Sequence, residues 1–131
     1  MRLTELLAAM RSLSLAAPSE LGLLPSSSGV YTAWLEGEEC CLYVGQSSNL
    51  VKRIRSHFSG QRGGDQFCLY VYDRYIHPIR SDNLTTGEVN RLTAEWIRQW
   101  VRFRWVAVPS PELAALEMGL RRALRPILNP A

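Results

Sequence analysis

Leucines at 113, 116, 120 and 124 repeat at helical spacing, and Glu117 falls on the same line, four residues after Leu113 and three before Leu120. A carboxylate on the apolar stripe of a helix is desolvated, at a cost on the order of several kcal/mol unless it is paired. Three chemistries would relieve it. Arg121, one turn on, offers an ion pair; the group could hold a proton; or it could bind a divalent cation, for which carboxylate oxygen is a natural ligand. Taken alone, this helix favours the ion pair over the metal.

A second group of reactive side chains lies upstream. Arg53 and His57 are four apart, so they share a helix face beside the stripe Leu50, Ile54, Phe58. An arginine at the edge of a core can grip a phosphate through two donors. A histidine there can accept or donate a proton near neutral pH. The plainer reading of both is an exposed helix face. Tyr31 and Tyr43 sit on two short strand-like runs. If the turn between them centres on Gly37, the phenols are directly opposite on one sheet face, and a slip of one residue would separate them. Two core tyrosines are the ordinary explanation.

The elements that must position these residues follow from periodicity and breakers. Residues 3 to 15 carry Leu3, Leu6, Leu7, Met10 and Leu13 at helical spacing, ended by the segment Pro25 to Gly29. Residues 30 to 35 are β-branched and aromatic; residues 40 to 44 form their hairpin partner, closed by Gly45. Ser47 or Ser48 is expected to cap a helix through about residue 58. A basic loop follows; in residues 66 to 76, Phe67, Leu69 and Val71 could alternate in a strand, while Asp65 as a cap and Pro78 as a stop favour a buried helix. Thr85 and Glu88 fit a capping box for a helix to about residue 100. Residues 101 to 108 alternate as a third strand, and the last helix starts at Pro109-Ser110-Pro111 and stops at Pro126. The fold class is α+β: a small, three-stranded, largely antiparallel sheet, a hairpin plus one later strand, flanked by helices. Residues 1–24 read as a helical extension and 25–129 as the core of one domain.

The 131 residues suit one domain and leave no room for a second, so target selection is expected from this domain, a partner or an oligomer. Net charge is only +3, but its placement is uneven: no acid stands between Glu39 and Asp65, where Lys52, Arg53, Arg55 and Arg62 cluster. Every basic residue of the 15 except Lys52 is arginine, whose planar fork of donors suits phosphate. A solvated helix face is the bland alternative. Cys40, Cys41 and Cys68 are odd in number and do not make a C-x-x-C metal pair, so reduced thiols in a cytoplasmic protein are expected. No stretch approaches the roughly 18 apolar residues of a membrane span, and Glu5 and Arg11 interrupt the N-terminal apolar run.

Taken in order, these pieces resemble the GIY-YIG nuclease superfamily. Gly29-Val30-Tyr31 is similar to the GIY element and Tyr43-Val44-Gly45 to the YIG element. Arg53, eight residues after Gly45, stands where the family's catalytic arginine is expected. Glu117 falls on a late helix like the family's metal-binding glutamate, and Asn129 follows Pro126 like its terminal asparagine. Each triplet alone is common; five matches in order over residues 25 to 129 are specific. Two departures stand out. Gln46 replaces the lysine of excision-repair members, and His57 replaces their tyrosine, as restriction-enzyme members do.

The resemblance implies a DNA endonuclease that hydrolyses phosphodiester bonds with one divalent cation, Mg2+ or Mn2+. In that scheme Glu117 holds the metal and Arg53 neutralises the phosphoryl oxygens. Tyr31 positions or deprotonates the attacking water, with His57 as its available relay, because an unperturbed phenol is a poor base at neutral pH. Tyr43 would bond the phosphate, and Asn129 would orient the Glu117 region, with Gly29, Gly45 and Gln46 in support. Lys52, Arg55, Arg62, Arg121, Arg122 and Arg125 are candidates to hold flanking phosphates. A double-strand cut would call for a homodimer or a partner protein. The alternatives are a catalytically weak nucleic-acid-binding or interaction module on the same fold, for which Gln46 speaks, and an RNA-directed nuclease or toxin.

Overall fold

The computed structural model describes residues 1–80 and 83–130 of the chain. Strand β1 (Gly29–Leu35) is the middle of the sheet, with β2 (Cys41–Ser47) on one side and β3 (Val101–Ala107) on the other, both antiparallel to it. The central position decides its composition. Six of its seven residues are buried, because both faces are covered. Towards one face Tyr31 and Ala33 join α2 (Leu50–Phe58), α3 (Gln66–Val71) and α4 (Thr86–Trp100) in a core that includes Ile54, Phe67 and Phe103. Towards the other, Val30 and Trp34 pack with α1 (Leu3–Ser12) and α5 (Leu113–Leu124) around Leu6, Met10, Leu116 and Leu120. The expected α+β architecture is present. Leu6 and Met10 are fully buried, so the N-terminal helix contributes directly to one of the two cores.

Both sheet edges are closed by chain rather than left to water. Ala16 exchanges two backbone hydrogen bonds with Phe103 at the β3 edge. At the β2 edge, Ile127 N–H donates to Cys41 and Leu128 N–H donates to Leu42. The Asn129 amide then completes the pairing with both backbone groups of Val44, at 2.8 and 2.9 Å. Arg125, in the left-handed region at φ 48°, ends α5 one residue before Pro126 and swings the chain into this edge.

Several boundaries differ from the sequence expectation, for identifiable reasons. The first helix ends at Ser12, since Leu13 is already extended. Strand β2 does not close at Gly45 but runs on to Ser47, because Gly45, Gln46 and Ser47 pair with Tyr31, Val30 and Gly29. The cap of α2 is Asn49, whose side chain accepts from Lys52 N–H; neither Ser47 nor Ser48 serves, and the Ser47 hydroxyl instead bonds the Asn49 backbone. Asp65 caps α3 through Cys68 N–H as expected, and the helix continues as a π-helical turn from Tyr72 to Ile76. The Thr85–Glu88 capping box forms in both directions. The last helix begins with a 3-10 turn at Ser110–Glu112.

The hairpin register matters most. Tyr31 pairs with Gly45, and Tyr43 with Ala33, so the phenols are diagonal neighbours rather than opposite each other. A register irregularity follows Ala33, and beyond it Trp34 pairs with Cys41. Relative to a turn centred on Gly37 the pairing at Tyr31 has moved by two residues. An even shift keeps a side chain on its face. Tyr31 and Tyr43 therefore still share one side, with ring centroids 6.4 Å apart.

The tail at the β2 edge yields a first prediction. Asn129→Ala removes two hydrogen bonds to a part-buried strand, so unfolding free energy should fall by about 1–3 kcal/mol. Urea denaturation measures this, and an unchanged midpoint would show that the tail does not hold the edge.

Candidate active site

The Tyr31 ring lies over the backbone of Gly45, its partner across the hairpin. A methyl group at that glycine would overlap the ring carbon bearing the hydroxyl and the hydroxyl itself. Only a residue without a β-carbon allows this approach. Tyr31 is 2% exposed, so its hydroxyl must find a partner inside the protein, and the partner is His57 Nε2 at 2.6 Å. Helix α2 delivers that imidazole. Leu50, Ile54 and Phe58 seat the helix on the sheet, which turns His57 inward and leaves Arg53, one turn earlier, exposed at the rim. Phe67 packs on the imidazole at 4.7 Å between ring centroids, and on Tyr43 at 5.3 Å.

Behind His57 stands a residue that sequence reasoning treated only as a helix cap. Both Asp65 carboxylate oxygens lie within 3.0 Å of His57 Nδ1, and the carboxylate also accepts from the Ser56 hydroxyl at 2.6 Å and from Cys68 N–H. Asp65 is 3% exposed. The contact joins residues eight apart across a glycine-bearing loop, and no local pattern announces it. The cap motif was the only readable signal.

These surroundings set the protonation states. Burial pushes the Asp65 carboxyl up, but the hydrogen bond and charge of His57 and the donors Ser56 and Cys68 outweigh it and hold it at about 2. Burial lowers His57, against the opposing pull of Asp65, and Arg53 lowers it further. At neutral pH the lowered imidazole is neutral and the lowered carboxylate ionised; the charge of His57 acts on Asp65 only at lower pH, where the ring is protonated. Burial drives the Tyr31 phenol well above its ordinary value, with Tyr43 adding to the rise and Arg53 opposing it. Tyr43 is raised as well, chiefly by burial.

A cavity of about 360 Å³ opens in front of this group. Tyr31, Tyr43, Gly45, Gln46, Arg53, His57 and Glu117 line it, together with Gly64, Gln66 and Phe67. All five residues expected to be catalytic thus meet in one place, drawn from β1, β2, α2 and α5. Gly64, Gln66 and Phe67 were not anticipated; they arrive with the loop that carries Asp65. Glu117 is 16% exposed in its side chain, and Arg121 is its nearest cation at 3.9 Å, too long for a firm ion pair. Burial raises its carboxyl above the usual range while Arg121 pulls the other way. No other basic group among the described residues pairs with it, and no carboxylate among them pairs with Arg53.

The remaining expected residues lie elsewhere. Gly29 starts β1, packed under Leu50 and the Val106 carbonyl, and does not line the cavity. The Asn129 side chain bonds Val44 rather than Glu117, and it lines a separate groove of about 560 Å³ with Arg121, Arg122 and Arg125. Arg62 lays its guanidinium over the Tyr72 ring at 4.6 Å, by a small cleft with Gly63. Lys52 and Arg55 are exposed on α2. A larger cleft of about 510 Å³ beside Trp34 and Arg104 gathers none of the five.

A divalent cation fits the donors present. The half-buried Glu117 carboxylate lacks a firm partner and faces a polar cavity, which suits an ion that keeps much of its water shell. Among the described residues no cluster of three or more acidic, histidine or cysteine side chains forms a fuller cage. None of their helices is long and apolar enough to cross a membrane.

Comparison with known proteins bears on the same residues. The family model of the GIY-YIG catalytic domain matches residues 27–129. Among solved structures, the chain is similar to the GIY-YIG N-terminal endonuclease domain of UvrC from Thermotoga maritima bound to its catalytic divalent cation, magnesium. The two share 22% identity over 86% of this chain and 93% of that one, with a TM-score of 0.50. Two tyrosine-to-phenylalanine forms of that domain, also bound to the cation, match over the same shares at 21% and 20% identity, each with a TM-score of 0.50. These likenesses show the fold. No curated protein matches the chain.

The buried imidazole predicts a pH dependence of stability. A histidine held neutral below its unfolded value of 6.5 stabilises the fold fully above that pH, and the contribution drains away as pH falls towards the folded value. Glu117, raised, acts in the opposite sense, so the comparison must be between proteins. From pH 7 to 5 the wild type should lose stability relative to His57→Gln in urea denaturation. Parallel curves would show that His57 is not held neutral.

Proposed function

The chain belongs to the GIY-YIG catalytic domain family, whose members are endonucleases, and we propose that it hydrolyses DNA phosphodiester bonds with the help of one divalent cation. The observation that carries this reading is the meeting, in one cavity, of a guanidinium with no carboxylate partner among the described residues, a carboxylate held only weakly by Arg121 and a phenol bonded to a buried imidazole.

Glu117 would hold Mg2+ or Mn2+, and the ion, when bound, supplies positive charge against the phosphate and the departing oxygen. Arg53 neutralises the nonbridging oxygens, a role in which one well-placed donor is worth about 3–4 kcal/mol. Tyr43 donates to the phosphate. Tyr31 holds the attacking water and passes its own proton to His57, which answers the difficulty of using a phenol as a base. Among the described residues Glu117 is the one carboxylate lining the cavity, which favours one ion over two. Lys52, Arg55 and Arg62 on one side, and Arg121, Arg122 and Arg125 along the α5 groove, would grip flanking phosphates and make binding salt-dependent. Three free cysteines suit a reducing cytoplasm.

Gln46 lines the cavity without the charge of a lysine, which favours the second reading, a catalytically weak binding module. Nicking of supercoiled plasmid separates the two. With Mg2+ or Mn2+ the wild type should cut and a chelator should stop it. Arg53→Ala and Glu117→Ala should each slow cutting on the order of 10²–10³-fold while circular dichroism stays native. Cutting that survives both changes sinks the assigned site, and tight DNA binding without cutting selects the binding module. Matched RNA substrates test the choice of nucleic acid.

A further inference from the structure

Asp65 has more bonds than a helix cap needs. A cap requires one oxygen for Cys68 N–H, and asparagine would provide it at the surface without burying a charge. Here the carboxylate is buried and ionised, at a cost that only several donors can offset. It has three: Cys68 N–H, the Ser56 hydroxyl and His57 Nδ1. An ionised carboxylate can only accept, so Nδ1 must carry the imidazole proton. With the ring neutral, Nε2 is then a bare acceptor. The atom 2.6 Å from it is the Tyr31 hydroxyl, which must therefore donate. For a neutral ring, this elimination assigns each proton along the series.

We propose that Asp65 is a positioning residue for the hydrolysis: it fixes the His57 tautomer and steadies the imidazolium that forms when Tyr31 relays a proton from the attacking water. This rests on the hydrolytic reading above. In the step, the water oxygen bonds to phosphorus and its proton moves to the Tyr31 oxygen. The Tyr31 proton moves to His57 Nε2. The bond from phosphorus to the leaving oxygen breaks, and that oxygen takes a proton from solvent. His57 then returns its extra proton to solvent. Tyr31 begins and ends as a phenol, in keeping with the burial that disfavours its anion. No phenolate need exist before attack.

The charged and titratable groups around the pair come from every neighbouring element. Asp65 faces the imidazole from the start of α3, Tyr31 from β1, Tyr43 from β2 and Arg53 from α2; Glu117 lines the cavity from α5. The Cys68 thiol bonds the His57 carbonyl and is raised by burial, so it stays protonated and plays no part in the transfer. Of these groups Asp65 alone raises the imidazole.

Asp65→Asn tests the idea, because asparagine keeps the cap and changes the charge. The maximal nicking rate should fall on the order of 10²–10⁴-fold with duplex affinity unchanged. The acid limb of the rate profile should move to lower pH, since the reacting imidazole is neutral and loses the carboxylate that holds its pKa up. A purely structural role would leave both rate and limb in place, and that result overturns the proposal. Nitrogen NMR of wild-type His57 gives a second reading that needs neither a folded variant nor activity. Its Nε2 should resonate as unprotonated at neutral pH. A proton on Nε2 overturns the tautomer assignment even if the protein cuts DNA, and an unprotonated Nε2 in a protein that never cuts would fault the hydrolytic reading instead.

Discussion

A phenol on the central strand of a sheet covered on both faces is almost entirely withdrawn from bulk water, and an unmatched hydroxyl there would cost a few kcal/mol. The arrangement of the catalytic face follows from meeting that constraint for Tyr31. Gly45 removes the β-carbon that would block the ring. Helix α2 brings His57 to the hydroxyl. Imidazole placed inside a core raises the same difficulty at its other nitrogen, and Asp65 meets it; Asp65 is met in turn by Ser56 and Cys68. Each polar group makes the next one necessary, and the series ends at a helix N-terminus, where a backbone N–H is free to donate. Among the described residues no buried side-chain polar atom is left without a partner.

The two faces of the sheet divide the labour. On the side of α1 and α5 the core is almost wholly apolar, and its role is to fix β1 and the angle of α5. On the side of α2 and α3 the polar series reaches the surface as a cavity. Glu117 links the two. Leu113, Leu116 and Leu120 anchor α5 in the apolar core, and that anchoring carries the carboxylate to the cavity edge. The arginines follow neither face. Arg55 lies on α2, Arg62 over Tyr72, and Arg121, Arg122 and Arg125 along the α5 groove.

Much of this was legible in the sequence, and the residues show why. Periodicity placed α2, α4, α5 and the three strands to within a few positions, because each of those helices has one apolar stripe and β1 has none; the 3-10 turn at Pro18–Leu23 carries no such stripe and was not read. Glu117 was readable because it breaks such a stripe. The hairpin register was not, since it depends on an irregularity beyond Ala33 that no turn residue announces. The face of Tyr43 survived only because the shift was even. The partner of Asn129 was not readable either: its hydrogen bonds go to Val44, between Tyr43 and Gly45 on β2. Asp65 shows the deeper limit. Its local role as a cap was complete and correct, and a complete local explanation hides a tertiary one.

The weak contact between Glu117 and Arg121 has its own logic. At i and i+4 on one helix the two could close a firm ion pair, and the arginine instead directs a hydrogen bond of 2.6 Å to the Pro130 carbonyl. That choice leaves the carboxylate half-buried and under-compensated, which raises its pKa and costs stability. A fold selected for stability alone would close the pair or replace the glutamate with leucine, completing the stripe. Keeping a carboxylate there makes sense if its missing partner arrives from outside the chain. The same reasoning applies to Arg53, exposed at the cavity rim with no acid paired to it among the described residues. One charge of each sign, neither firmly paired among the described residues and both facing one small space, leaves room for an ion pair from outside: a cation for the glutamate and an anion for the arginine. A metal-bound phosphate diester is such a pair, and its arrival would neutralise both residues at once.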